Sequence, residues 1–83
     1  MAGSISPFPL VRTGDRDHPV RTLQYLLRAR NHPITVDGIF GPKTEATVRG
    51  FQQALHTDIP SVAVDGIVGP VTWQALISGM LAG

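Results

Sequence analysis

The run Val36-Asp37-Gly38-Ile39-Phe40-Gly41-Pro42-Lys43-Thr44 returns 28 residues later as Val64-Asp65-Gly66-Ile67-Val68-Gly69-Pro70-Val71-Thr72. Over residues 36–48 against 64–76, seven of thirteen positions are identical, too many for coincidence in a chain of 83 residues. Two copies make a doubled unit and not a solenoid, which needs three or more. Each copy opens with Asp-Gly, a turn signal in which the carboxylate can accept a hydrogen bond from the chain two residues on. Gly38 and Gly66 can adopt positive φ at little cost. Gly41-Pro42 and Gly69-Pro70 then read as helix starts. Proline suits the first helical position, where its missing N–H is no loss, and it pushes the preceding residue out of the α region.

Apolar spacing extends this into three helices. From Pro42, residues Thr44, Val48, Phe51 and Leu55 share one face, with Glu45 and Arg49 paired on the solvent side. From Pro70, the inward set is Trp73, Leu76, Ile77 and Met80. An earlier helix is expected from about Pro19 to Arg30, with Val20, Leu23 and Leu27 inward and Asp17 or His18 as its cap. Asn31 suits a left-handed stop and Pro33 blocks continuation. Gly50 falls inside the second helix, where it costs roughly 1 kcal/mol relative to alanine; only a close backbone neighbour would account for it. The expected fold is all-α: a small three-helix bundle built on two repeated turn–helix units. Residues 10–81 are read as the domain and residues 1–9 as an N-terminal extension, with Met1–Ser4 resembling an expression scar.

The seven basic and six acidic side chains nearly cancel, which disfavours nucleic-acid binding, since that rests on several uncompensated cations. There is no cysteine, hence no thiolate chemistry. No apolar run is long enough to span a membrane. Met1 to Leu10 lacks the basic patch and apolar stretch of a secretory signal. His18, His32 and His56 have no metal-ligand spacing, and no Gly-x-Ser-x-Gly or His-Glu-x-x-His is present. No enzyme, metal site or cofactor is therefore expected.

Among candidate binding residues, Tyr25 falls opposite the core face of the first helix, with Arg21 and Arg28 beside it. An exposed ring between two guanidinium groups can stack on a sugar while the cations hold carboxylates. Alternatively Phe8 or Leu10 folds back and covers it. Asp37 and Asp65 either cap their own turns or bind ligand amides and hydroxyls; a glycosidase pair is a remote third reading. Trp73 aligns with the solvent-side Glu45, which suggests half burial and either a core or a binding-edge role. Phe40 and Val68 read as core lids. The helix starts at Pro42 and Pro70 offer free N–H groups to carboxylates.

Three pieces of the chain together closely resemble the peptidoglycan-binding domain-like family. They are Val20-Arg21-Thr22-Leu23-Gln24-Tyr25-Leu26-Leu27, the stretch from Asp37 to Glu45 running on to Phe51-Gln52, and Val64 to Pro70 with Thr72-Trp73 and Leu76. The resemblance spans about Pro9 to Leu76. It departs from the family at Asp17-His18-Pro19, where a glycine is often found, and at Asn31-His32, where glycine and an aromatic are common. The loop from His56 to Ser61 looks longer than usual. The resemblance implies a non-catalytic three-helix module that binds peptidoglycan, glycan strand and stem peptide, and holds an attached or partner cell-wall enzyme on the wall. It also implies an extracytoplasmic or wall-associated location. Because the family also occurs where no wall binding is evident, a protein-interaction adaptor is the alternative.

Overall fold

The computed structural model describes residues 10–78. Three helices are formed, α1 (His18–Ala29), α2 (Pro42–Asp58) and α3 (Pro70–Ser78), and α1 packs on both of the others. Among the described residues there is no strand; two isolated bridges, Val11 with Val68 and Arg16 with Ile39, tie the N-terminal segment to the two turns. Val11 and Val68 exchange both backbone bonds, at 3.0 and 2.7 Å. The core comprises Val20, Leu23 and Leu27 of α1, Val48, Phe51 and Leu55 of α2, and Trp73, Ala75 and Leu76 of α3. Phe40 and Val68 close it as lids, joined by Val11 and Val62.

The helix starts form as the Gly-Pro pairs dictate. Gly41 is extended (φ −108°, ψ −165°) and Pro42 opens α2. Asn31 takes the left-handed conformation (φ 67°) that ends α1. Arg30, just beyond α1, reaches across to the end of α3, donating from Nε to the carbonyl of Leu76 (2.9 Å) and from Nη2 to that of Ile77 (3.3 Å). A guanidinium thus donates to two carbonyls of the last described turn of α3.

Three details differ from the sequence reading. Trp73 is buried, not half-buried. Ile77 is exposed and Ala75 buried in its place, because α3 meets its neighbours along the 72–73–75–76 face; Met80 lies outside the described residues. Asp17 is the N-cap of α1, but its side chain makes no capping bond.

Asp17 and Asn31 are the two non-glycine residues with positive φ among those described. Asn31 tolerates the conformation well. Asp17, at φ 73° and ψ −143°, occupies a region that is nearly glycine-only. At Gly50 no backbone approaches: the nearest atom to an added Cβ is His32 Nδ1 at 4.0 Å, an ordinary contact. His32 itself packs edge-on against Phe51, centroids 5.4 Å apart. Asp17→Gly and Gly50→Ala are each expected to stabilise by about 0.5–1 kcal/mol, read as a rise of a few degrees in Tm by calorimetry. A lower Tm in either variant would contradict this account of the backbone.

Candidate functional site

Both turns are held by a buried glutamine one helix earlier. Gln24 Oε1 accepts the backbone N–H groups of Asp37 (3.0 Å) and Gly38 (2.9 Å). Its Nε2 lies within bonding distance of Asp37 Oδ1 (3.0 Å), the Ile39 carbonyl (3.2 Å) and Thr44 Oγ1 (3.1 Å). Two N–H groups serve three acceptors, so one is shared. Gln52 repeats every contact 28 residues on: Asp65 N (3.2 Å), Gly66 N (2.9 Å), Asp65 Oδ1 (3.1 Å), Ile67 O (2.9 Å) and Thr72 Oγ1 (3.2 Å). The repeat therefore begins at Val20-Arg21-x-x-Gln24-x-x-Leu27, matched by Val48-Arg49-x-x-Gln52-x-x-Leu55. That match is legible in the sequence as Val, Arg, Gln and Leu at the same spacing on two helices. One helix, α2, closes the first unit and opens the second.

Asp37 and Asp65 cap their own turns, each accepting the N–H of the residue two on through Oδ1, Asp37 from Ile39 and Asp65 from Ile67. The bond from Ile39 N–H, then that from Gln24, holds the Asp37 carboxyl below its ordinary pKa, and the nearby Arg21 guanidinium acts the same way. Glu45 is lowered similarly, first by Thr13 and then by Arg49.

The two units differ in how they use their arginines. Arg49 is fully engaged: Nε to Glu45 (3.1 Å), Nη1 to the Val64 carbonyl and Nη2 to the Asp65 carbonyl (both 3.1 Å). Arg21, its counterpart, lies over Gly38, but its side chain makes no hydrogen bond among the described residues. The residue matching Glu45 is Asp17, and among the described residues its carboxylate makes no ion pair with Arg21.

Tyr25 is 62% exposed, and Arg28 is exposed one turn further on the same outer surface of α1. Leu10 is itself exposed, and Phe8 lies outside the described residues. Arg21, Tyr25 and Arg28 thus share the outer side of α1, with Asp37 beside Arg21 at one end. Asp65 is at the second turn, and Trp73 in the core presents no face to a ligand. Two shallow grooves of ≈ 380 and ≈ 390 Å³ flank the first turn and share Asp37, Lys43 and Thr44; Tyr25 lines neither. Among the described residues no group of His, Asp or Glu is placed to hold a metal ion, and no helix is long and apolar enough to cross a membrane.

Residues 16–76 match the family model described as "Putative peptidoglycan binding domain". The chain belongs to this family. Solved structures agree. The chain is similar to the SleB N-terminal domain, with 28% identity and a TM-score of 0.76, covering 90% of this chain and 97% of that one. It resembles a peptidoglycan-binding protein from Clostridioides difficile, solved with glutamine hydroxamate (32% identity, TM-score 0.74, 87% of this chain and 42% of that one). It also resembles the Burkholderia AP3 phage endolysin (38%, 0.74, 86% and 26%). The chain thus spans less than half the length of the latter two. No curated protein matches it.

Proposed function

We propose that this peptidoglycan-binding-family domain is a non-catalytic module that binds the bacterial wall through the outer face of α1 and so keeps an attached or partner protein, such as a wall hydrolase, on its substrate. The observation that carries the site is the exposed Tyr25 ring beside Arg21 and Arg28, on a helix whose other side is already complete with Val20, Leu23, Gln24 and Leu27. An Arg21 side chain with no hydrogen bond among the described residues is the second support, since its counterpart Arg49 is held by Glu45 and by the carbonyls of Val64 and Asp65. A flat ring stacks on a sugar face, and guanidinium groups form paired bonds to carboxylates. Affinity from one shallow face is modest. For a tethered module that suffices, because linkage supplies a local concentration on the order of mM.

Tyr25→Ala is expected to weaken binding to purified sacculi about fivefold, equivalent to about 1 kcal/mol, with Tm nearly unchanged. Co-sedimentation across a range of sacculus concentrations reads the first and calorimetry the second. Undiminished binding by both Tyr25→Ala and Arg28→Ala would remove the α1 face from consideration. A protein that stays in the supernatant at every sacculus concentration would favour the adaptor reading instead.

A further inference from the structure

The internal repeat provides its own control for the grooves beside the first turn. In the second unit the positions matching Ile34 and Thr47 are Val62 and Ala75, both buried in the core. In the first unit Ile34 and Thr47 are only half-buried and line an open groove between the extended run 33–37 and the first turns of α2. The chemistry differs as well. Lys43 is matched by Val71 and Ala46 by Gln74, so the open groove carries a cation where its counterpart carries an aliphatic group.

Lys43 and Asp37 line both grooves, which are therefore contiguous and hold one positive and one negative group. The Lys43 ammonium has no ion pair or hydrogen bond among the described residues. Asp37 commits Oδ1 to the turn, leaving Oδ2 available as an acceptor. Ile34 and Ala46 give the floor small apolar surfaces. At ≈ 380 Å³ the space is at the low end of small-molecule clefts, ~300–1,000 Å³, which suits a few small residues and not a glycan strand.

We infer that this groove holds the free carboxyl end of a short peptide with small side chains, its terminal carboxylate on Lys43 and a peptide N–H on Asp37 Oδ2. The inference deepens the wall-binding reading, because it makes the stem peptide the ligand of a second surface, separate from the ring of Tyr25. A carboxylate on an exposed ammonium is screened by salt, so binding here weakens as ionic strength rises.

The test is NMR titration of the full ¹⁵N-labelled chain with N-acetyl-alanyl-D-alanyl-D-alanine and, separately, its C-terminal amide. The acid should shift amides of residues 33–37 and 43–47, and the amide should bind about 3- to 10-fold more weakly, as expected for loss of one charged contact at a partly exposed site. Lys43→Gln should bring the acid down to the level of the amide and leave the amide unaffected, while Lys43→Arg restores the preference. Shifts confined to the α1 face, equal affinity for acid and amide, or an acid affinity untouched by Lys43→Gln would each overturn the inference. If sacculi still retain the protein in those cases, the Tyr25 reading stands alone. If sacculi fail to retain it while the acid binds as described, the groove stands and the wall-binding face on α1 falls.

Discussion

Replacing Gln52 with leucine should lower the Tm by ~10 °C or more. The side chain is buried and holds Asp65 N–H, Gly66 N–H, the Ile67 carbonyl, Asp65 Oδ1 and Thr72 Oγ1 together. Leucine is close in size, so the volume is nearly kept and the loss is almost entirely polar. An orphaned buried donor or acceptor costs about 1–3 kcal/mol. With the Gly66 N–H and Thr72 Oγ1 buried and the other groups partly reachable by water, a total of about 2–4 kcal/mol follows. A domain of this size has about 4–12 kcal/mol of stability in all, and each kcal/mol is worth about 4–8 °C. Gln52→Glu provides a sharper control. A carboxylate can still accept the two N–H groups but cannot donate to the Ile67 carbonyl, and it sets a second negative charge against Asp65. That variant should also be destabilised, and less so when acid protonates the new carboxyl. A Tm for Gln52→Leu within about 2 °C of wild type would show that the turn holds itself without the clamp.

Valine at Gly66 should be the most damaging substitution in either turn, and worse than valine at Gly38. The two glycines share nearly the same φ, 77° and 75°, so the backbone penalty, about 1–3 kcal/mol, is common to both. They differ in what a Cβ would meet. At Gly38 the nearest atoms all belong to the Arg21 guanidinium, from 2.9 Å, the unbonded end of a flexible side chain that can swing away. At Gly66 they are Glu45 Cγ at 2.9 Å and Arg49 Nε at 3.1 Å. Those side chains are fixed to each other, Arg49 also to the carbonyls of Val64 and Asp65 and Glu45 also to Thr13. Gly66→Val should therefore cost about 3 kcal/mol or more, and Gly38→Val about 1 kcal/mol less than that. Urea denaturation with a common m-value measures both. Equal losses would mean that Arg49 moves as freely as Arg21, and the distinction between a structural and an available arginine would lapse.

What the sequence by itself determined is local. Asp-Gly fixes a turn whose second residue needs positive φ, and Gly-Pro fixes a helix start; neither depends on what lies far away. The period of Thr44, Val48, Phe51 and Leu55 sets which side of α2 turns inward, so the three helices and most of the core were readable. Asn31 ended α1 for the same local reason. What only the tertiary structure decided are the contacts between residues distant in the chain. A glutamine in an apolar pattern reads as a polar surface residue until the turn 13 residues later supplies its partners, so Gln24 and Gln52 were passed over. Aligning Trp73 with Glu45 suggested exposure because the repeat predicts equivalent local geometry, but tertiary packing buries Trp73 where Glu45 stays partly exposed and bonds Thr13 and Arg49. Arg21 and Arg49 occupy equivalent sequence positions with opposite fates, since the carboxylate that fixes one is Glu45 and the residue matching it for the other is the strained Asp17. The open groove at Lys43 has the same origin: identical turns leave a space in one unit and a filled core in the other, because burial depends on neighbours that the repeat does not copy.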